Sequence, residues 1–217
     1  MEGEMPLRFY LIRLTRYYNK YGLQGTLKRI KEKIALALFQ RDDIVFYFDL
    51  IFFNSPVITK PDSYKIEAKS RVEEIDRSDM DSLNNHIGAE IISYQLNDRF
   101  SISAILWIIK VKDDLAGYVW SVASKSKLSP SYIPLCNRDV YLFDGGVMER
   151  HRGKNIYPVF ISHVIFELKK LGFVRAFFVA HEWNKSVLRS FSKIQAQTLG
   201  VARKYSFGGR EFITWKH

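Results

Sequence analysis

The stretch Val147-Met-Glu-Arg-His-Arg-Gly-Lys-Asn-Ile156 lies between an apolar, strand-like run (Val140 to Phe143) and a strongly periodic helical segment (Tyr157 to Leu171). Ile156, Phe160, Val164, Leu168 and Leu171 recur along one face of that segment. Pro158 stands in its first turn, where a missing N–H costs little, and Gly172 follows its end. A basic, glycine-containing turn that opens a helix suits an anion. First-turn N–H groups point outward, the macrodipole places partial positive charge there, and Arg150, Arg152 and Lys154 add full charges. Because Val174 to Ala180 then reads as a buried strand, the centre of the chain is strand, turn, helix, strand, which predicts a mixed α/β domain.

Working outward, Asn184 caps a helix carrying Val187, Leu188, Phe191 and Ile194, and two final strands turn at Gly208-Gly209. On the N-terminal side, Tyr64 to Ile75 reads as a strand, Ser78 to His86 and Glu90 to Asn97 as short helices, and Ser101 to Val111 as a strand. Lys112-Asp-Asp114 marks a tight turn into the strand Leu115 to Ala123, which makes a hairpin. Ser124 to Pro134 is a loop. Paired glycines at Gly145-Gly146, inside the strand Val140 to Val147, predict a bulge or a close backbone approach.

Residues 7 to 40 read as helix in two pieces divided near Gly22 and Gly25, with Leu27, Ile30, Ile34 and Leu38 on one stripe and Lys28, Lys31 and Lys33 off it. Two roles stay open for this basic, amphipathic extension: packing on the body or on a second copy as a homodimer, and peripheral contact with an anionic membrane. Ile44 to Phe53 is the most apolar run. Asp42, Asp43 and Asp49 bracket and interrupt it at strand length, so it reads as a buried strand and not an anchor. The expected division is an N-terminal unit, residues 1–60, of helices plus this strand, followed by a domain over 61–217.

The chain has 217 residues, 47% of them hydrophobic, enough for one sizeable core. Its 33 Lys+Arg against 23 Asp+Glu give a net charge of +10, which favours anionic partners without choosing among them. The lone Cys136 excludes an intrachain disulfide, and no His/Asp/Glu spacing resembles a metal site. No Ser-His-Asp set is visible. No nucleic-acid-binding motif is present and the basic residues are dispersed, which argues against nucleic acid as a partner. No run is long and apolar enough to span a bilayer and no secretory signal pattern is present, so a cytoplasmic location is expected.

Residues 64 to 217 resemble the GNAT superfamily of acyl-CoA-dependent N-acyltransferases. Leu115-Ala-Gly-Tyr-Val-Trp120 is similar to that family's third strand, Val147 through Tyr157 to its phosphate-binding turn, and Asn184 through Lys193 to its asparagine-led helix. The resemblance implies a GNAT-like, mixed and mostly antiparallel twisted sheet flanked by helices, here with a helical N-terminal extension. The family turn reads Arg/Gln, two residues, Gly, one residue, Gly/Ala. Laid on this sequence it starts at Arg152, runs through Gly153 and Lys154, and puts Asn155 and Tyr157, with Ile156 between them, where the two small residues belong. Asn tolerates a left-handed backbone, so Asn155 is a mild departure. Tyr157 must point away or narrow the pocket.

The resemblance further implies acetyl-CoA as acyl-donor cosubstrate with no metal, cofactor contacts at this turn, at Asn184 and at Phe191, and a backbone N–H near Val147 or Met148 on the thioester carbonyl. Direct attack by an amine needs no protein nucleophile. Asp144, three residues before Val147, is the candidate base, with a structural cap of the glycine bulge as its other reading. Glu149 is the reserve. The family's tyrosine acid is replaced by Phe191, leaving Tyr205 or Tyr118 as substitutes. His151 could assist phosphate binding, His163 reads as a satisfied core histidine, and His181 ends a strand near the acceptor side. The implied activity is acetyl transfer to a small-molecule amine. Similarity to acetyltransferases of bacterial polysaccharide synthesis points to an amino sugar of a surface-glycan pathway. An acyl-carrier-protein donor and a degenerate, non-catalytic interaction module remain alternatives.

Overall fold

The computed structural model describes residues 14–15, 18–19, 22–28, 30–31, 41–54, 63–123, 126–207 and 210–216. Eight strands form one sheet: β1 (Arg41–Asp49), β2 (Tyr64–Lys69), β3 (Ile105–Val111), β4 (Asp114–Ala123), β5 (Asp139–Val147), β6 (Arg175–His181), β7 (Gln197–Phe207) and β8 (Arg210–Lys216). Their order across the sheet is β2-β3-β4-β5-β6-β1-β7-β8. All neighbours are antiparallel except β5 and β6. That parallel pair is joined through α3 (Ile156–Lys170), the periodic helix expected after the basic turn. Also packed on the sheet are α1 (Arg77–Ile87), α2 (Ala89–Phe100) and α4 (Lys185–Lys193).

Alternation along the strands divides the core in two. On one face Phe160, Val164 and Leu168 of α3 and Phe191 of α4 pack on Phe46, Phe48, Val119, Leu142 and Phe178. On the other, Leu83 of α1 and Ile92 and Leu96 of α2 pack on Val45, Leu106, Trp120, Tyr141 and Phe177. The mixed, mostly antiparallel sheet with flanking helices is the architecture the sequence predicts.

β1 has a notable place. It precedes the expected boundary at residue 60, yet it lies in the sheet interior, pairing Asp43 with His181 on β6 and with Ala202 on β7. Period-two alternation suits it to both neighbours, with Val45 and Tyr47 facing one core and Ile44, Phe46 and Phe48 the other.

Several boundaries differ from expectation. The strand from Tyr64 stops at Lys69, because Glu74 draws back onto the Ser70 N–H (2.7 Å) and closes a 3-10 turn at Val72–Glu74. β3 starts at Ile105 and not at Ser101, since the chain leaves α2 through a turn with Ser103 at φ 58°. The apolar run at Ile44 continues past Asp49 into a turn that exposes Ile51 (60%) and Phe52 (77%). Within the helical extension, residues 14–15, 18–19, 22–28 and 30–31 are helical, with Gly22 left-handed (φ 68°) and Gly25 inside the 22–28 run, and most of the remaining expected span lies outside the described residues. Among the described residues no helix is long and apolar enough to cross a membrane.

Candidate functional site

β5 and β6 pair only over their first residues, from Asp139 with Arg175 to Leu142 with Phe178, although β5 continues to Val147 and β6 to His181. The two strands therefore part. A bulge assists the parting: Phe143 faces Trp120 and Gly146 faces Tyr118, so Asp144 and Gly145 together oppose Val119 alone. Asp144 takes the left-handed region (φ 46°), and a Cβ on Gly117 would meet the Gly146 carbonyl at 2.8 Å, which is the close backbone approach the glycines foretold. Beyond Leu142 the edge of β5 that faces β6 has no strand partner among the described residues.

The basic turn stands at the same end of the sheet. Gly153 (φ 77°) and Asn155 (φ 55°) are both left-handed, consistent with Asn155 serving where the family pattern has glycine. Asn155 is the N-cap of α3 but makes no side-chain cap bond; its Oδ1 instead accepts from Lys193 Nζ of α4 at 2.5 Å. The first turn of α3 thus keeps the Ile156 and Tyr157 N–H groups for another acceptor, Pro158 having none and Val159 donating to the Asn155 carbonyl, with Arg152 and Lys154 just before it in the chain. Asp114 anchors the turn, accepting from Arg150 and lying 2.7 Å from the Nε2 of buried His151. His151 thereby fastens the turn to β4. His163 is half-exposed near Glu167 (3.8 Å) and is not a core histidine.

Tyr157 points inward. Its ring lies 6.3 Å from Phe191, and its hydroxyl would be 3.2 Å from a Cβ built on Gly145, so it stands against the bulge at the mouth of the parting strands. Burial pushes its phenol well above the ordinary tyrosine value. Phe191 is core, packed against Phe46 (5.0 Å) and Phe178 (5.1 Å).

The other expected residues divide. Asp144 is 41% exposed and its Oδ2 accepts from Arg99 Nη2 at 2.5 Å; Arg99 in turn lies over Trp120 and Phe143. Met148 donates its N–H to the Ala116 carbonyl (2.9 Å), so that amide is not aimed at the cleft. Val147 pairs with Gly117 and accepts from Arg152 Nε at 3.3 Å. Asn184 caps α4 by accepting from the Val187 N–H at 3.3 Å. Tyr205 lies on β7, with β6 and β1 between it and β5, a span of about 14 Å at the usual strand spacing. Glu149 is exposed in the 3-10 turn.

One pair was not assembled from sequence. Asp43 on β1 and His181 on β6 meet at 2.6 Å across the sheet. Both residues drew notice singly, Asp43 as a polar flank of an apolar run and His181 at a strand end. Their separation of 138 positions left no local signal to join them.

No protein-family model matches the chain, and no curated protein matches it. Solved structures do match. A GCN5-related N-acetyltransferase from Sphaerobacter thermophilus superposes with a TM-score of 0.52 at 13% identity, covering 85% of this chain and 57% of that one. A GNAT-family acetyltransferase from Colwellia psychrerythraea gives 0.53 at 9% identity, covering 78% and 58%. A functionally unknown conserved protein from Staphylococcus epidermidis gives 0.52 at 10% identity, covering 82% and 64%. The chain has the GNAT fold. It spans less than two thirds of the length of these structures.

Proposed function

We propose that the chain is an N-acyltransferase that takes an acetyl group from acetyl-CoA and passes it to an amine. The observation that carries this is the unpaired edge of β5 beyond Leu142, opening beside the basic, uncapped start of α3. An extended donor rich in amides can add to that edge as an extra strand, while its phosphates reach the α3 amides, Arg152 and Lys154. The residues suit the phosphates. Asn155 and Tyr157 stand where the family's pyrophosphate turn has small residues, which supports a second reading in which the donor is a carrier protein bearing the same arm without the nucleotide. The basic surface suits an acidic carrier equally well.

The chemistry asked of the protein is modest. It must align a thioester with an amine, exclude water and remove a proton from the nitrogen. An amino sugar is the acceptor class proposed, following the resemblance to polysaccharide-pathway enzymes. Calorimetric titration with acetyl-CoA at moderate salt tests the donor. Saturable binding that weakens in Arg152→Ala supports the reading. A protein that ignores acetyl-CoA but releases thiol from an acetylated carrier protein supports the second. Failure with both leaves a non-catalytic module.

A further inference from the structure

On the face of the sheet opposite α3, β1 brings an acid to a histidine. Asp43 is fully buried, pairs in register with His181, and holds its Oδ1 2.6 Å from His181 Nδ1. Its Oδ2 accepts from the Tyr132 hydroxyl at 2.9 Å and lies 3.7 Å from the Lys204 ammonium on β7. Trp183 stacks on the imidazole at 5.1 Å, and Glu182 follows it in the chain. Since a carboxylate only accepts, Nδ1 carries a proton, and in the neutral ring the basic lone pair is on Nε2, across the ring. The His181 side chain keeps 28% of its surface exposed, so a small molecule can reach it.

Position matters as much as tautomer. His181 lies three residues beyond Phe178, the last β6 residue paired with β5, which is about 10 Å into the parted region. Val179 and Phe177, two and four residues before it on the same strand face, pack with α1 and α2. Tyr157 and Phe191 pack with α3 and α4 on the opposite face. A donor arm entering from the α3 side and an amine entering from the α1 and α2 side would meet between them, at the level of this ring.

We propose that His181 is the general base of acyl transfer and that Asp43 is its positioning residue, a role that rests on the N-acyltransferase reading. The ammonium of the acceptor gives one proton to Nε2, and the freed lone pair attacks the thioester carbonyl carbon, forming the C–N bond. The C–S bond breaks with its electron pair on sulfur. The second proton leaving nitrogen goes to that thiolate, and the imidazolium returns the first to water. Ammonium and thioester become amide, thiol and one released proton.

The test uses the full chain with acetyl-CoA as probe and glucosamine as acceptor. Calorimetry comes first, followed by ring 15N spectra of the histidines, then thiol release. The His181 ring signals are expected to move on saturation with acetyl-CoA while those of His163 stay. His181→Gln is expected to keep acetyl-CoA affinity within about twofold and to lose about 10²- to 10³-fold in kcat, the range of a positioned base. Added imidazole should restore part of the rate in His181→Ala, a rescue that a merely structural histidine would not show. Asp43→Asn should lower kcat and change the His181 tautomer in the 15N spectra; if that buried change prevents folding, the His181 rescue decides. Absence of acetyl-CoA binding overturns the acetyl-CoA reading and the base together. Binding with an unmoved His181 ring, or wild-type turnover in His181→Gln, overturns the base alone.

Discussion

Gly145→Ala probes the placement of Tyr157 without touching charge. A Cβ at this position would meet Val119 Cγ2 at 3.1 Å, the Tyr157 hydroxyl at 3.2 Å and the Tyr118 carbonyl at 3.3 Å. Three contacts tighter than ordinary van der Waals separation cannot relax together, because one is backbone in the β4–β5 ladder. Overpacking of this kind costs about 1–3 kcal/mol. For a chain of this length that is a fall of about 2–12 °C in Tm, readable by thermal unfolding. Tyr157→Phe removes one of the three contacts, so the double variant should recover about 0.5–1 kcal/mol of the loss, the coupling usual for touching side chains. Strict additivity of the two substitutions would refute the seating of the Tyr157 hydroxyl against the bulge.

Other substitutions separate the roles assigned above. Arg152→Ala should weaken acetyl-CoA binding by calorimetry, and the deficit should shrink at high salt where the charge attraction is already screened. Asp144→Asn removes the charge from the partner of buried Arg99 and should lower stability by about 1–3 kcal/mol in urea melts. Its turnover should fall less than that of His181→Gln; an equal or larger fall would return the base to Asp144. Tyr205→Phe should leave turnover within about twofold, because β7 lies two strands from the opening. Burial raises the Glu67 carboxyl, but hydrogen bonds from Lys65 and Lys69 and the charges of Lys69 and Lys110 outweigh it and hold the group at about 2. A depressed carboxyl stabilises the fold above its unfolded value and loses that contribution as pH falls toward about 2. Urea midpoints of Glu67→Gln should therefore decline less steeply than wild type below about pH 5.

Local pattern carried much of this fold into view. The stripe from Ile156 to Leu168, Pro158 in the first turn and Gly172 after the end bounded α3 to within a residue or two. Asn184 announced α4, and the glycines of β5 announced its bulge. What stayed hidden was partnership. Alternation identifies β1 as a strand but cannot say that it inserts between β6 and β7, because any strand buried on both faces carries the same signal. The pairing of Asp43 with His181 depends on that insertion and was hidden with it. Tyr157 was legible as bulky in a small-residue position, while its inward direction depends on Phe191 and Gly145, which lie on other elements. Met148 looked available as an amide donor because its commitment to Ala116 arises from the β4 register.

Hydrogen exchange with and without acetyl-CoA puts the site to the most direct trial. Slowed exchange at the amides of residues 143–147 and 153–157, with little change in the β7–β8 hairpin, is the result expected if the donor adds to the open edge of β5 and seats its phosphates on α3. Unchanged exchange at both segments under saturating acetyl-CoA would contradict it.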